Sequence, residues 1–184
     1  MFNRKWVFAL LLCVCPAAAF ANTAPLTPKE IIFNFYKSYF SYLQSKSTTP
    51  GPDLAYSTSF NKLFNYNMAL CRPFPDEICG WGSDSDIYLN AQDYDDNLTI
   101  ENTHFTITET PQHVITVSFN LFPSEKPDQN DERIISYNMI YEQNQWVGDD
   151  IIYDNKSSSR QDMESENKSL IDELKSEGKA VPRE

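Results

Sequence analysis

Only two imidazoles, His104 and His113, are present to serve as a general base or metal ligand near neutral pH. Both fall where alternation predicts strands, and neither sits in a recognisable motif. There is no Gly-Xaa-Ser-Xaa-Gly elbow, no zincin pair and no glycine-rich phosphate loop. Five glycines in the whole chain leave little from which to build a phosphate cradle. The densest polar set is Asp84 and Asp86, followed by Asn90 to Asn97. Within it Asp93, Asp95 and Asn97 fit the first three ligand positions of a calcium loop. The sixth position, where the sharp turn needs glycine, is Leu98, and the twelfth, where a bidentate glutamate belongs, is His104. The segment Gln92, Asp93, Tyr94 and Asp95 therefore reads either as functional or as an acid-lined turn. Carboxylates of the Asp93 to Asp96 stretch, with His104, would suit hydrolase chemistry if the fold brought them into one cleft. None of these sets is specific enough to assign a catalytic residue, a cofactor or a metal.

The compartment is read from the first residues. Arg4 and Lys5 precede an apolar run from Trp6 to Cys15, Pro16 ends it, and Ala19-Phe20-Ala21 supplies the small residues of a cleavage site. The run is shorter than the roughly 20 residues of a membrane span. The lipoprotein pattern wants a small residue before its cysteine, whereas Leu12 and Val14 precede Cys13 and Cys15. The expectation is a bacterial signal peptide over 1–21, cut after Ala21, and a periplasmic or secreted product without a stable membrane anchor. The 26 acids against 15 bases give a net charge of −11, and the leader would remove two bases and no acid. Such acidity argues against phosphate-backbone binding, so no nucleic-acid partner is expected, and it either attracts a basic protein partner or only supplies solubility. Cys71 and Cys79 remain after cleavage, and an oxidising compartment predicts their disulfide. The alternative, a redox-active pair, favours Cys-Xaa-Xaa-Cys spacing.

These residues need a frame to hold them. Thr27-Pro28-Lys29-Glu30 has the form of a capping box with proline at the first helical position. Ile32, Phe35, Tyr36, Tyr39 and Leu43 follow at helical spacing. A second helix is predicted from about Ser57 to Leu70, with Phe60, Leu63, Phe64 and Met68 or Leu70 inward. The disulfide loop and a Gly80-Trp81-Gly82-Ser83 turn come next. From about Leu98 the period becomes two. Strands are expected around Phe105–Ile107, Ile115–Leu121, Ile135–Tyr141 and Trp146–Tyr153, with a polar loop at 126–131 and a turn at Gln143-Asn144. The fold class is α+β: about four antiparallel strands covered by the N-terminal helices, plus a C-terminal helix carrying Met163, Leu170 and Leu174. The domain spans 22–155, and 156–184 forms a polar helix and tail.

Three segments carry a family likeness: Ile32-Phe33-Asn34-Phe35-Tyr36, Ser85 to Tyr94, and Asn144 to Tyr153. Over residues 28–155 the chain resembles the secreted bacterial domain-of-unknown-function family 3828, and its closing strand is similar to those of nuclear-transport-factor-2-like and cystatin-like folds. The resemblance implies a curved antiparallel sheet wrapped on a long first helix and implies no particular chemistry. Gly148 departs from the side chain such a strand would carry, which predicts a bulge. A cleft lined by Tyr36, Tyr39, Tyr137 and Trp146 is expected in such a fold. The functional expectation is a small non-enzymatic binding or interaction protein, for instance an immunity protein against a periplasm-acting toxin. A cell-envelope hydrolase and a structural envelope protein are the alternatives.

Overall fold

A computed structural model describes residues 25–125 and 132–183. The predicted signal peptide with its cut after Ala21, and the predicted loop at 126–131, lie outside the described residues. The elements are α1 (Pro28–Ser45), α2 (Thr58–Cys71), β1 (Thr106–Glu109), β2 (Val114–Asn120), β3 (Glu132–Glu142), β4 (Gln145–Tyr153), β5 (Ser157–Ser158) and α3 (Ser159–Ser176). The strands form one antiparallel sheet in chain order, β1 to β5. The α+β class and the C-terminal helix are thus as the periodicity requires, with the two-residue β5 added.

Helix α1 begins as its sequence dictates. The Thr27 hydroxyl accepts from the Glu30 N–H at 3.2 Å, and the Glu30 carboxylate accepts from the Thr27 N–H at 2.8 Å. Its buried stripe of Ile32, Phe35, Tyr36, Tyr39 and Phe40 packs on Ile115, Val117 and Phe119 of β2 and Ile135, Tyr137 and Met139 of β3. Strand β2 alternates buried and half-exposed residues, as a sheet covered on one face does, whereas β3 buries Ile135, Ser136 and Tyr137 in succession and β4 buries Val147-Gly148 and Asp150-Ile151 as pairs. Gln143 and Asn144 take φ of 50° and 66°, and with both central residues left-handed the tight turn matches the twist of the β3–β4 hairpin.

The bulge predicted at Gly148 is present one residue later. Met139 pairs with Gly148 and Asn138 with Asp150, so Asp149 is the extra residue. Gly148 is where the segment before α2 lies against the strand: its N–H donates to the Ala55 carbonyl and its carbonyl accepts from the Ser57 N–H, both at 2.9 Å. A Cβ here would stand 3.2 Å from the Tyr56 ring. The two aspartates that follow hold one helix start each. Asp149 accepts from the hydroxyl of Ser57, the N-cap of α2, at 2.5 Å. Asp150, buried, accepts from the Ser158 and Ser159 hydroxyls at 2.6 and 2.7 Å and from the Arg160 N–H at 3.1 Å, at the start of α3.

Helix α3 packs within the same body rather than trailing from it. Leu170 and Leu174 join Leu70, Cys71 and Phe74 in a second apolar cluster beside the Cys71–Cys79 disulfide. Of the two alternatives for the inward end of α2, Leu70 is the one that is buried, and the spacing does not predict the polar residue that joins it. Met68 is exposed, while Asn67 is fully buried. The cause lies on α3: Asn67 Nδ2 donates to Glu166 Oε2 and Asn167 Oδ1, both at 2.8 Å. Among the described residues, no helix is long and apolar enough to cross a membrane.

Candidate functional site

Three segments that are distant in the chain meet around an open cavity of about 380 Å³. Helix α1 contributes Tyr39; the connection before α2 contributes Asp53 and Tyr56; α2 contributes Phe60, Asn61 and Phe64, the two rings one helical turn apart. The irregular segment after the disulfide closes the far side with Trp81, Ser85, Asp86 and Tyr88. The walls are aromatic. Tyr56 stacks on Phe60 at 4.6 Å between centroids, and Trp81 stands nearly perpendicular to Phe60 and Phe64 at 5.5 and 6.1 Å.

Trp81 is fixed from below. Gly80, at φ of 92°, turns the chain straight after Cys79, and a Cβ there would meet the Met68 sulfur at 2.8 Å. The Gly80 N–H donates to Glu166 Oε1 at 3.0 Å, and the Trp81 N–H donates to Asn67 Oδ1 at 2.8 Å. The disulfide, Asn67 and α3 therefore jointly place this wall.

Tyr88 organises the polar side. Its hydroxyl donates to Asp53 Oδ1 and accepts from the Tyr56 hydroxyl at 3.3 Å. Its N–H donates to Asp86 Oδ1 at 2.9 Å, alongside the Leu89 N–H at 3.0 Å, and the Tyr39 hydroxyl donates to Asp86 Oδ2. Burial, reinforced by the neighbouring carboxylates and tyrosines, raises the pKa values of Tyr39, Tyr56 and Tyr88 well above the ordinary tyrosine range. They stay neutral donors at any physiological pH. The formal charge at the lining is then that of Asp53 and Asp86, held about one tyrosine side chain apart, and the lining includes no lysine, arginine or histidine.

Of the four aromatic residues expected in a cleft, Tyr39 lines this cavity. Tyr36 and Tyr137 do not: both are fully buried, with their hydroxyls 2.8 Å apart and that of Tyr36 donating to the Tyr88 carbonyl at 2.9 Å. Trp146 lies elsewhere, its ring 4.5 Å from His113 and 5.3 Å from Tyr141 at the β3–β4 hairpin. The segment Gln92, Asp93, Tyr94 and Asp95 is irregular chain that leads into a turn at Asp96 and Asn97, and none of the four lines the cavity. Asp93 Oδ1 accepts from the Tyr94 N–H, and Asp95 accepts from the N–H groups of Asn97 and Ser124; the Ser124 side chain first, and these N–H groups after it, lower the pKa of the Asp95 carboxyl group. The histidines are outside the strands, at φ of 55° for His104 and 60° for His113. No hydrogen bond among the described residues joins His104 to Asp93 or Asp95, and these acids gather into no metal-ligand set there. The one grouping of ligand types, Cys71, Cys79 and Glu166, has its sulfurs bonded to each other. Sequence reasoning missed Asp53, Phe64, Trp81 and Tyr88 as one site; the run of aromatics and acids from Trp81 to Tyr88 was the available signal.

Comparison with protein-family models, curated proteins and solved structures gives no match.

Proposed function

We propose that this chain is an exported, non-enzymatic binding protein whose ligand seat is the cavity between α2 and the Trp81–Tyr88 segment. One observation carries the reading: rigid aromatic walls and two fixed carboxylates converge on one open cavity of a size that suits a small ligand or an inserted side chain. The carboxylates are held by tyrosine hydroxyls and backbone N–H groups, an arrangement that supports recognition. The net charge of −11 supports a basic partner, and an immunity protein against a periplasm-acting toxin is the concrete version. The disulfide suits an oxidising compartment. The order of a capped aromatic helix before an antiparallel meander supports the likeness to family 3828.

The test compares what the purified protein and its Phe64→Ala and Trp81→Ala variants retain from a periplasmic extract, read by native mass spectrometry. A species held by the parent and lost from both folded variants supports the cavity as the seat. Equal retention by all three, or none by any, would sink it.

A further inference from the structure

We infer that the cavity recognises a guanidinium group, an inference that rests on the cavity being the binding seat. Charge is the first argument. Asp53 and Asp86 supply two negative charges and the lining supplies no positive one, so a cation completes the site. A metal ion is the wrong size and surface for walls made of Tyr56, Phe60, Phe64 and Trp81. Aromatic faces favour weakly hydrated organic cations, and guanidinium is planar enough to lie along them.

Hydrogen-bonding capacity narrows the class further. The Asp53 Oδ1 atom is occupied by Tyr88 and by the Leu54 N–H at 2.8 Å, while Oδ2 takes no donor among the described residues. Asn61 spends its Nδ2 on the Tyr56 carbonyl at 3.0 Å, which leaves its Oδ1 as an acceptor at the same cavity. A quaternary ammonium has no N–H to give these atoms. A guanidinium has five, in a fork that suits a carboxylate.

The molecule already builds this arrangement once, on Phe60 itself. The Arg160 guanidinium carbon lies 6.0 Å from the Phe60 centroid, and its Nη2 donates to Asp149 Oδ1 at 3.1 Å and to the Ser59 hydroxyl at 2.5 Å. The cavity offers the matching set of aromatic ring, carboxylate and neutral acceptor, with the guanidinium left to the ligand.

The experiment is calorimetric titration of the oxidised protein with N-acetyl-arginine amide, its uncharged citrulline isostere and the lysine analogue. Arginine amide should bind, the citrulline compound about ten- to a hundredfold more weakly, and lysine in between. Asp53→Asn keeps an oxygen for Tyr88 and Leu54 and replaces the charged Oδ2 acceptor by an amide donor, so it should lower arginine affinity by a similar factor with the cooperative melting transition retained. Agmatine and an arginine-centred tripeptide separate the sources: tighter binding of agmatine assigns a free guanidine, tighter binding of the peptide a protein side chain. Citrulline binding as tight as arginine, or an Asp53→Asn protein with full affinity, overturns the guanidinium assignment while leaving the cavity as a seat. If Phe64→Ala also retains everything the parent retains, the binding seat falls as well.

Discussion

At the scale of single residues, the interior is held by tyrosine hydroxyls as much as by apolar packing. Tyr36 is fully buried, and its hydroxyl serves both the Tyr137 hydroxyl and the Tyr88 carbonyl. Tyr36→Phe should cost about 1–3 kcal/mol in urea unfolding, because it strands two buried partners while leaving the ring volume in place. Gly148→Ala places a methyl against Tyr56 and should cost about 1–3 kcal/mol, with a change in the near-ultraviolet signal of that ring. Which aromatic residue is core and which is wall could not be read from the sequence. Tyr36 and Tyr39 share the helical stripe of α1, yet the first meets β3 and the second meets Asp86. Nothing in their spacing separates them, because the distinction is made by the segment that crosses above.

At the scale of elements, legibility followed regularity. The capping box of α1, the alternation of β2 and the Gln143-Asn144 turn are local rules, and the chain obeys them. The cavity draws on the stretch from Cys79 to Tyr88, which has no period and is shaped by tertiary anchors. Those anchors make predictions of their own. Replacing both cysteines by serine should cost about 2–3 kcal/mol, as expected for a short closed loop. The loss should be accompanied by weakened ligand binding, since Trp81 lies two residues beyond Cys79. Asp150→Ala should cost about 3 kcal/mol in the same assay, because the buried Ser159 hydroxyl, the half-buried Ser158 hydroxyl and the first turn of α3 lose their acceptor together.

For the molecule as a whole, pH is the informative variable. Seven tyrosines, among them Tyr36, Tyr56 and Tyr137, have hydroxyls raised above the ordinary value of 10.0, burial being the largest cause in each. A folded-state value above the unfolded one gives stability that is complete below about pH 10 and is lost as pH rises beyond it. The tyrosinate absorbance of the fully buried Tyr36 and Tyr137 should therefore emerge together with loss of the far-ultraviolet dichroism, in one cooperative step above pH 10. A smooth titration centred at 10 with the fold intact would contradict the buried network. On the acid side, the lowered Glu30 carboxyl, which accepts from Thr27, contributes above its unfolded value of 4.5 and ceases to as pH falls through its folded value.

The bond from Trp81 to Asn67 also has a place in time. Glu166 and Asn167, which occupy the Asn67 amide nitrogen, follow it in the chain by 99 and 100 residues and so are made after it. A nascent chain that has completed its sheet still lacks the helix that steadies the tryptophan wall. A chain made only as far as its sheet should therefore hold that wall more loosely than one that also carries α3.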